Sequence, residues 1–416
     1  MKTKTKVKMD YMDLQAQDVN ALVQLAFDKY HQGELDNALD IAQRSLELKN
    51  KNNPCVNLIG SILHSQGKVS ESAHYFKEAI KHDPTNVECY YNLGVVLRQA
   101  GDMTASLSQQ ARALEINPEY IPSLNEAGLL YLAKKDNSSA GELLHRAYEL
   151  DPKNRATLVN IAYHCTVMNL LNEAISFSQA LIKVDPDCAE PYFTIGYALS
   201  KANFFEESVK YAKLSMNKTN KYSSEKEHYL LMNYLYSDQF SGEQIFEAHK
   251  SWSRKFLRND AFPRRGNDDP HKKLKVGFIS SDFREHSVSN FFLAIVENYN
   301  KSKFEYSCYS GVSKADFITE RIRAAVDIWR EVYDLSETGI VELIKQDEID
   351  ILVDLAGHSQ GNYIRVFGHK PAPVQMTYLG YPFSTGLENM DYRITDEYAD
   401  PKGMTEHLHT ETLIRM

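Results

Sequence analysis

The stretch Leu274–Ser289, LKVGFISSDFREHSVS, sets Ser280, Ser281, Asp282 and His286 directly behind an apolar run. It reads as a strand over Lys275–Ile279, a polar turn over Ser280–Asp282 and the start of a helix. Open α/β sheets bind ligands at the carboxyl ends of their strands, so this turn is a candidate wall of an active site. Histidine is the side chain that gains and loses a proton near pH 7, which makes His286 a candidate for proton handling; a capping or core role is its ordinary alternative. Two more turns at strand ends are Gly357-His358-Ser359-Gln360-Gly361 and Leu379-Gly380-Tyr381-Pro382. For His358 the plain alternative is a solvated loop histidine. The sequence shows neither a glycine-rich phosphate loop nor an Asp-x-Asp pair at a strand end.

Around these turns, strands are predicted at Lys275–Ile279, Glu305–Tyr309, Ile349–Leu355, Val374–Tyr378 and Tyr392–Thr395, with another at Val332–Leu335. Helices are predicted between them, at 288–300, 316–326, 338–346 and 362–369. Alternation at this spacing implies βαβ units and a parallel sheet with right-handed crossovers. The run IDILVDLAG is nearly all apolar, as a central strand covered on both faces should be.

The preceding half is periodic. Pro84, Pro118, Pro152 and Pro186 lie 34 residues apart, each behind Asp or Asn. Small residues recur in three columns: Ala26, Gly60, Gly94, Gly128, Ala162 and Gly196; Ala38, Ser72, Ser106, Ala140, Ala174 and Ser208; and Ser45, Ala79, Ala113 and Ala147, continued by Leu181 and Ser215. A 34-residue period with such columns is the pattern of tetratricopeptide repeats, two antiparallel helices per unit. The small residues sit where helices cross closely, and the proline ends the second helix. Six units are expected between residues 19 and 222, stacked into a superhelix whose concave face binds extended peptides or partner proteins. Asn57, Asn92, Asn125 and Asn160 fall near equivalent positions of the first helices. An amide both donates and accepts, so they could clamp a peptide backbone.

A basic segment, residues 1–18, precedes the repeats and lacks the apolar core of a signal peptide. Residues 223–272 read as a helical connector and linker. Ser241 before Glu243 and Gln244 reads as a helix cap, Ile245, Ala248, Trp252 and Phe256 recur at helical spacing, and Pro263–Lys272 is turn-rich. The last division, 273–416, is the α/β lobe. A net charge of −9 argues against non-specific nucleic-acid binding, which needs a basic face. The five cysteines show no metal-like spacing and suit a reducing compartment. No run approaches the length of a membrane helix. The expectation is a soluble, cytoplasmic protein.

The stretches KVGFISSDFREHSVSNF, DILVDLAGHSQGN, KPAPVQMTYLGYPFSTGLENMDYRITDEYADP and QIFEAHKSW, together with the repeats, resemble the bacterial relatives of protein O-linked N-acetylglucosamine transferase and SPINDLY. The resemblance implies a Rossmann-like lobe, the N-terminal half of a two-lobed GT-B glycosyltransferase. It implies transfer of a sugar from a nucleotide-sugar, UDP-N-acetylglucosamine, to Ser or Thr hydroxyls of proteins, without a metal. It also implies that His286 is the catalytic histidine, and that Asp282, His358, Leu379, Gly380 and Tyr381 line the substrate side, with Gly380 letting the backbone approach the donor sugar.

Two residues depart from the family pattern. Ser287 stands where the family has proline, and Phe383 where it has glycine. Phenylalanine cannot take a strained glycine conformation cheaply, and it would crowd a donor pocket. Met416 falls inside what resembles the close of the first lobe, so the donor-binding second lobe is expected to lie outside this sequence. An unpaired lobe exposes apolar surface, which favours self-association. The competing expectation is a non-catalytic repeat scaffold that binds partner proteins.

Overall fold

The computed structural model describes residues 19–48, 53–219, 224–257 and 271–416. The expected N-terminal segment 1–18, the array edge at 220–222 and residues 263–270 of the expected linker lie outside the described residues. The chain forms two compact units that divide between Ala198 and Leu199. That division falls inside the span expected for the sixth repeat.

The first unit consists of paired helices: α1 (Val19–His31) and α2 (Leu35–Leu48), α3 (Asn53–Ser65) and α4 (Val69–His82), α5 (Val87–Gln99) and α6 (Met103–Ile116), α7 (Ile121–Ala133) and α8 (Asn137–Leu150), α9 (Arg155–Val167) and α10 (Leu171–Val184), then the start of α11 (Glu190–Lys201). The small columns do what close crossing requires. A Cβ on Gly60 would meet the Phe76 ring at 2.7 Å, one on Gly94 the Gln110 amide at 2.2 Å, and one on Gly128 Leu144 at 2.8 Å. The second column adds a bond as well as space: Ser72 Oγ donates to the Gly60 carbonyl and Ser106 Oγ to the Gly94 carbonyl, both at 2.7 Å. Caps match the turns, with Asn86, Asp102, Asp136 and Asn154 each accepting a backbone N–H from the next helix. A further 34-residue column is visible only in the backbone. Gly33, Gly67 and Gly101 have positive φ, and Lys135, Asn169 and Asn203 take the same left-handed conformation after them.

The four asparagines occupy two adjacent columns. Asn57 and Asn125 share one, Asn92 and Asn160 the next. They bond in pairs, Asn92 Nδ2 donating to Asn57 Oδ1 at 3.3 Å and Asn160 Nδ2 to Asn125 Oδ1 at 3.2 Å. Asn125 also donates to Thr157 Oγ1 and the Ile121 carbonyl. Asn57 and Asn125 are buried, whereas Asn92 and Asn160 are half-buried.

The second unit begins with the end of α11, then α12 (Phe205–Asn217), α13 (Ser224–Leu235) and α14 (Gly242–Phe256). Ser241 and Gln244 form the capping box that the connector sequence indicated. Trp252 enters the core, with Ala248 and Phe256 packed beside it. Seven strands follow: β1 (Leu274–Ser280), β2 (Phe304–Ser310), β3 (Ile328–Glu331), β4 (Ile351–Asp354), β5 (Val374–Tyr378), β6 (Tyr392–Thr395) and β7 (Thr412–Arg415). They form one parallel sheet in the order β3-β2-β1-β4-β5-β6-β7. Helices α15 (Ser287–Asn298), α16 (Phe317–Ala325), α17 (Glu337–Gln346) and the short α18 (Ile364–Gly368) cross between strands.

Side chains alternate across this sheet. Val276 and Phe278 of β1 pack with Phe292, Cys308 and Val353 on one face, while Ile279, with Tyr309 and Leu352, packs on the other beside Trp252. The third strand lies at Ile328–Glu331, earlier than the expected Val332–Leu335. Arg330 disguises it, being tolerated there because it pairs with Asp347 at 2.7 Å near the sheet edge. The edge strand β7 and a 3₁₀ turn at Glu406–Leu408 are short, and neither was expected. Strand order reverses between β1 and β4, so the turns after those strands flank the topological switch point.

Candidate active site at the carboxyl edge of the sheet

The turn after β1 is held from within. Asp282 N–H donates to Ser280 Oγ at 3.0 Å, Ser289 Oγ donates to the Asp282 carbonyl, and Phe283 is wholly buried. His286 is the N-cap of α15; its Nδ1 accepts the Val288 N–H at 3.4 Å. The same Nδ1 lies 3.7 Å from Asp282 Oδ2, while Arg284 Nη2 lies 3.6 Å from Asp282 Oδ1. These two uses of one nitrogen define two tautomers. With Nδ1 accepting from Val288, the proton sits on Nε2. With the proton on Nδ1 and aimed at Asp282, Nε2 is left as a proton acceptor. The capping alternative and the proton-handling alternative thus share one side chain, which is 36% exposed.

The turn after β4 is fixed by Asp354, which the sequence reading passed over. Its carboxylate accepts from the Ala356 and Gly357 N–H groups at 3.1 and 2.8 Å and from Thr377 Oγ1 at 2.8 Å. Burial nonetheless raises its pKa. The sequence signal was an acid closing an apolar strand. Gly357 and Gly361 take positive φ, and a Cβ on Gly361 would press on Ser281 Oγ at 2.8 Å, so the β1 and β4 turns touch.

His358 lies in the expected turn after β4, but it is not solvated there. Its ring is 1% exposed, and both nitrogens are engaged. Nε2 faces the Thr385 carbonyl at 2.7 Å and must donate; Nδ1 therefore accepts from His228 Nδ1 at 2.9 Å. Tyr381 is equally internal. Its hydroxyl donates to His249 Nε2 at 2.7 Å, because His249 Nδ1 is committed to the Ile245 carbonyl at 2.7 Å. Burial holds these imidazoles neutral: the His249 pKa is pushed down to about 4 and that of His358 well below its ordinary value. These bonds tie helices α13 and α14 to the strand-end turns.

After β5, the Gly380 N–H returns to the Tyr378 carbonyl at 2.8 Å with Leu379 at φ +67°. This is a γ-turn of the rare, strained hand, and such outliers concentrate at functional sites. Gly380 is required by the protein itself, since a Cβ there would lie 1.8 Å from the Leu355 carbonyl oxygen. Gly380→Ala is therefore expected to cost about 1–3 kcal/mol, read by urea unfolding; wild-type stability would contradict the close approach. Phe383 does not take the strained backbone expected of it. Positive φ falls on Leu379 and Gly386, and the Phe383 ring packs 5.3 Å from His249 and 5.7 Å from His409. Among the described residues, no group of three or more His, Cys, Asp or Glu is placed to hold a metal ion, and no helix is long and apolar enough to cross a membrane.

Residues 255–416 match glycosyl transferase family 41, and residues 60–101 and 87–120 match tetratricopeptide repeat families. The chain is 37% identical over 193 residues to a probable UDP-N-acetylglucosamine–peptide N-acetylglucosaminyltransferase SPINDLY of Petunia hybrida, covering 45% of this chain and 20% of the relative. Against the SPINDLY protein of Arabidopsis thaliana identity is 39% over 193 residues, covering 45% and 21%. Against the SEC protein of the same plant it is 33% over 148 residues, covering 35% and 15%. The chain thus spans about a fifth of the length of the SPINDLY relatives it matches. Among solved structures, a mutant O-GlcNAc transferase of Thermobaculum terrenum superposes with a TM-score of 0.57 at 27% identity, covering 79% of this chain and 57% of that one. A repeat array followed by a parallel α/β lobe is thus similar to the tetratricopeptide-containing O-GlcNAc transferases and SPINDLY proteins, with residues 255–416 matching glycosyl transferase family 41.

Proposed function

We propose that this chain supplies the acceptor-guiding repeats and the acceptor-side lobe of a protein O-N-acetylglucosaminyltransferase. The observation that carries the reading is the Asp282–His286 pair, 3.7 Å apart, at the switch point of the sheet. In the tautomer with Nδ1–H toward Asp282, Nε2 takes the proton of a Ser or Thr hydroxyl as its oxygen bonds the anomeric carbon. The bond to the diphosphate breaks, and UDP leaves with the electron pair. Asp282 then faces the imidazolium. The Leu379–Gly380 backbone meets the donor sugar, while His358 and Tyr381 support it from behind. In the repeats, the half-buried Asn92 and Asn160 offer amides to an extended peptide, with Asn57 and Asn125 orienting them. UDP-N-acetylglucosamine as donor and a reaction without metal are parts of the same proposal.

The test is transfer of labelled N-acetylglucosamine from UDP-N-acetylglucosamine to protein, by this chain alone and with the second lobe of a family 41 enzyme supplied. Transfer in the assembled enzyme is expected. Equal inactivity in both would refute the enzyme reading and leave a repeat scaffold.

A further inference from the structure

The segment Leu379–Leu387 is held from outside by two buried ionisable side chains, Arg393 and Glu411, which two more, Asp400 and His409, connect. Arg393, on β6, donates from Nη1 to the Tyr381 and Phe383 carbonyls at 3.0 and 2.8 Å. Glu411, just before β7, accepts from Ser384 Oγ and Thr385 N–H, each at 2.7 Å, and from Thr385 Oγ1. Asp400 links the two: it lies 3.6 Å from Arg393 Nε, accepts from Thr395 Oγ1 at 2.5 Å, and meets His409 Nε2 at 3.0 Å. His409 Nδ1 lies 3.9 Å from Glu411 Oε2, which closes the ring. All four side chains are at most 8% exposed.

Burying four ionisable groups is costly unless each is paired. A surface loop that only joined β5 to β6 would gain nothing from them. Here Arg393 bonds two backbone carbonyls, and Glu411 bonds one backbone N–H and two hydroxyls, all of one segment directly after the strained turn at Leu379. Sites that bind through backbone groups need such support behind them to keep their geometry.

We propose that Arg393, Asp400, His409 and Glu411 are positioning residues that hold the Leu379–Thr385 segment in shape for the sugar portion of a nucleotide-sugar donor. This rests on the reading given under Proposed function. The four act through the segment and do not touch the donor.

Hydrogen–deuterium exchange of the chain by itself tests the positioning. Arg393→Lys keeps the charge but cannot reach both carbonyls as a guanidinium does. Thr385→Val keeps the shape and removes a hydroxyl from Glu411. In both, the amides of Thr385, Gly386 and Leu387 are expected to exchange at least tenfold faster while β1 and β4 keep their protection. Unchanged exchange, or loss of protection across the whole sheet, would overturn the proposal. In the assembled enzyme, the donor KM is expected to rise at least tenfold, with kcat and the acceptor KM within about twofold of wild type. An unchanged donor KM overturns the assignment to the donor sugar. If wild type itself transfers no sugar, the functional reading fails, while the exchange result still decides whether the cluster positions the segment.

Discussion

Replacing His286 with alanine is expected to lower sugar transfer by about 100-fold or more in the assembled enzyme, the scale of losing a positioned proton acceptor. The structure also makes His286 the N-cap of α15, so the same change removes a helix cap. That second effect is small, about 1 kcal/mol, and it separates cleanly from the first. His286→Asn retains a capping side chain and cannot take up a proton at neutral pH. It should restore stability in urea unfolding without restoring transfer. Asp282→Asn should leave the fold intact and lower the rate, since the amide no longer favours Nδ1–H or the imidazolium. Transfer by His286→Ala at the wild-type rate would refute proton handling at this position.

The second large effect is on stability against pH. His249 is fully buried, bonded as a neutral ring, with its pKa pushed down from 6.5 to about 4. In the unfolded chain it takes up a proton near pH 6.5. Between those values the unfolded state binds more protons, so stability rises with pH across the window. The stabilisation is complete above about pH 6.5 and is lost as pH falls towards 4. For this one group it amounts to roughly 3 kcal/mol. His358, depressed in the same direction, steepens the slope. The shift at Asp354 is upward, and its effect has the opposite sign. Both tryptophans, Trp252 and Trp329, lie in the α/β unit, so their fluorescence reports on that unit alone. Urea midpoints should fall between pH 7 and pH 5, and His249→Gln, which cannot titrate, should flatten that fall. A midpoint independent of pH over this range would show that the imidazoles are not held neutral.

The sequence by itself determined the repeat register, the strand-turn-helix at Leu274–Ser289 and the alternation that makes a parallel sheet. These are local patterns. A glycine or alanine every 34 residues reports one helix crossing, and an apolar run ended by polar residues reports one buried strand. The pair Asp282 and His286 was legible for the same reason, since both lie in one turn.

The tertiary structure decided what each candidate side chain meets. His358 bonds His228, 130 residues away, and Tyr381 bonds His249, 132 residues away. No local pattern encodes such partners, so burial of a histidine in a polar turn could not be read from the sequence. The packing of Gly380 against the Leu355 carbonyl is likewise invisible to local sequence. Asp354, Arg393 and Glu411 escaped notice because an isolated charge looks like surface until the chain folds around it. Burial forces every such charge to find partners, and those partners, supplied by distant strands and helices, set the shape of the turns at the carboxyl edge of the sheet.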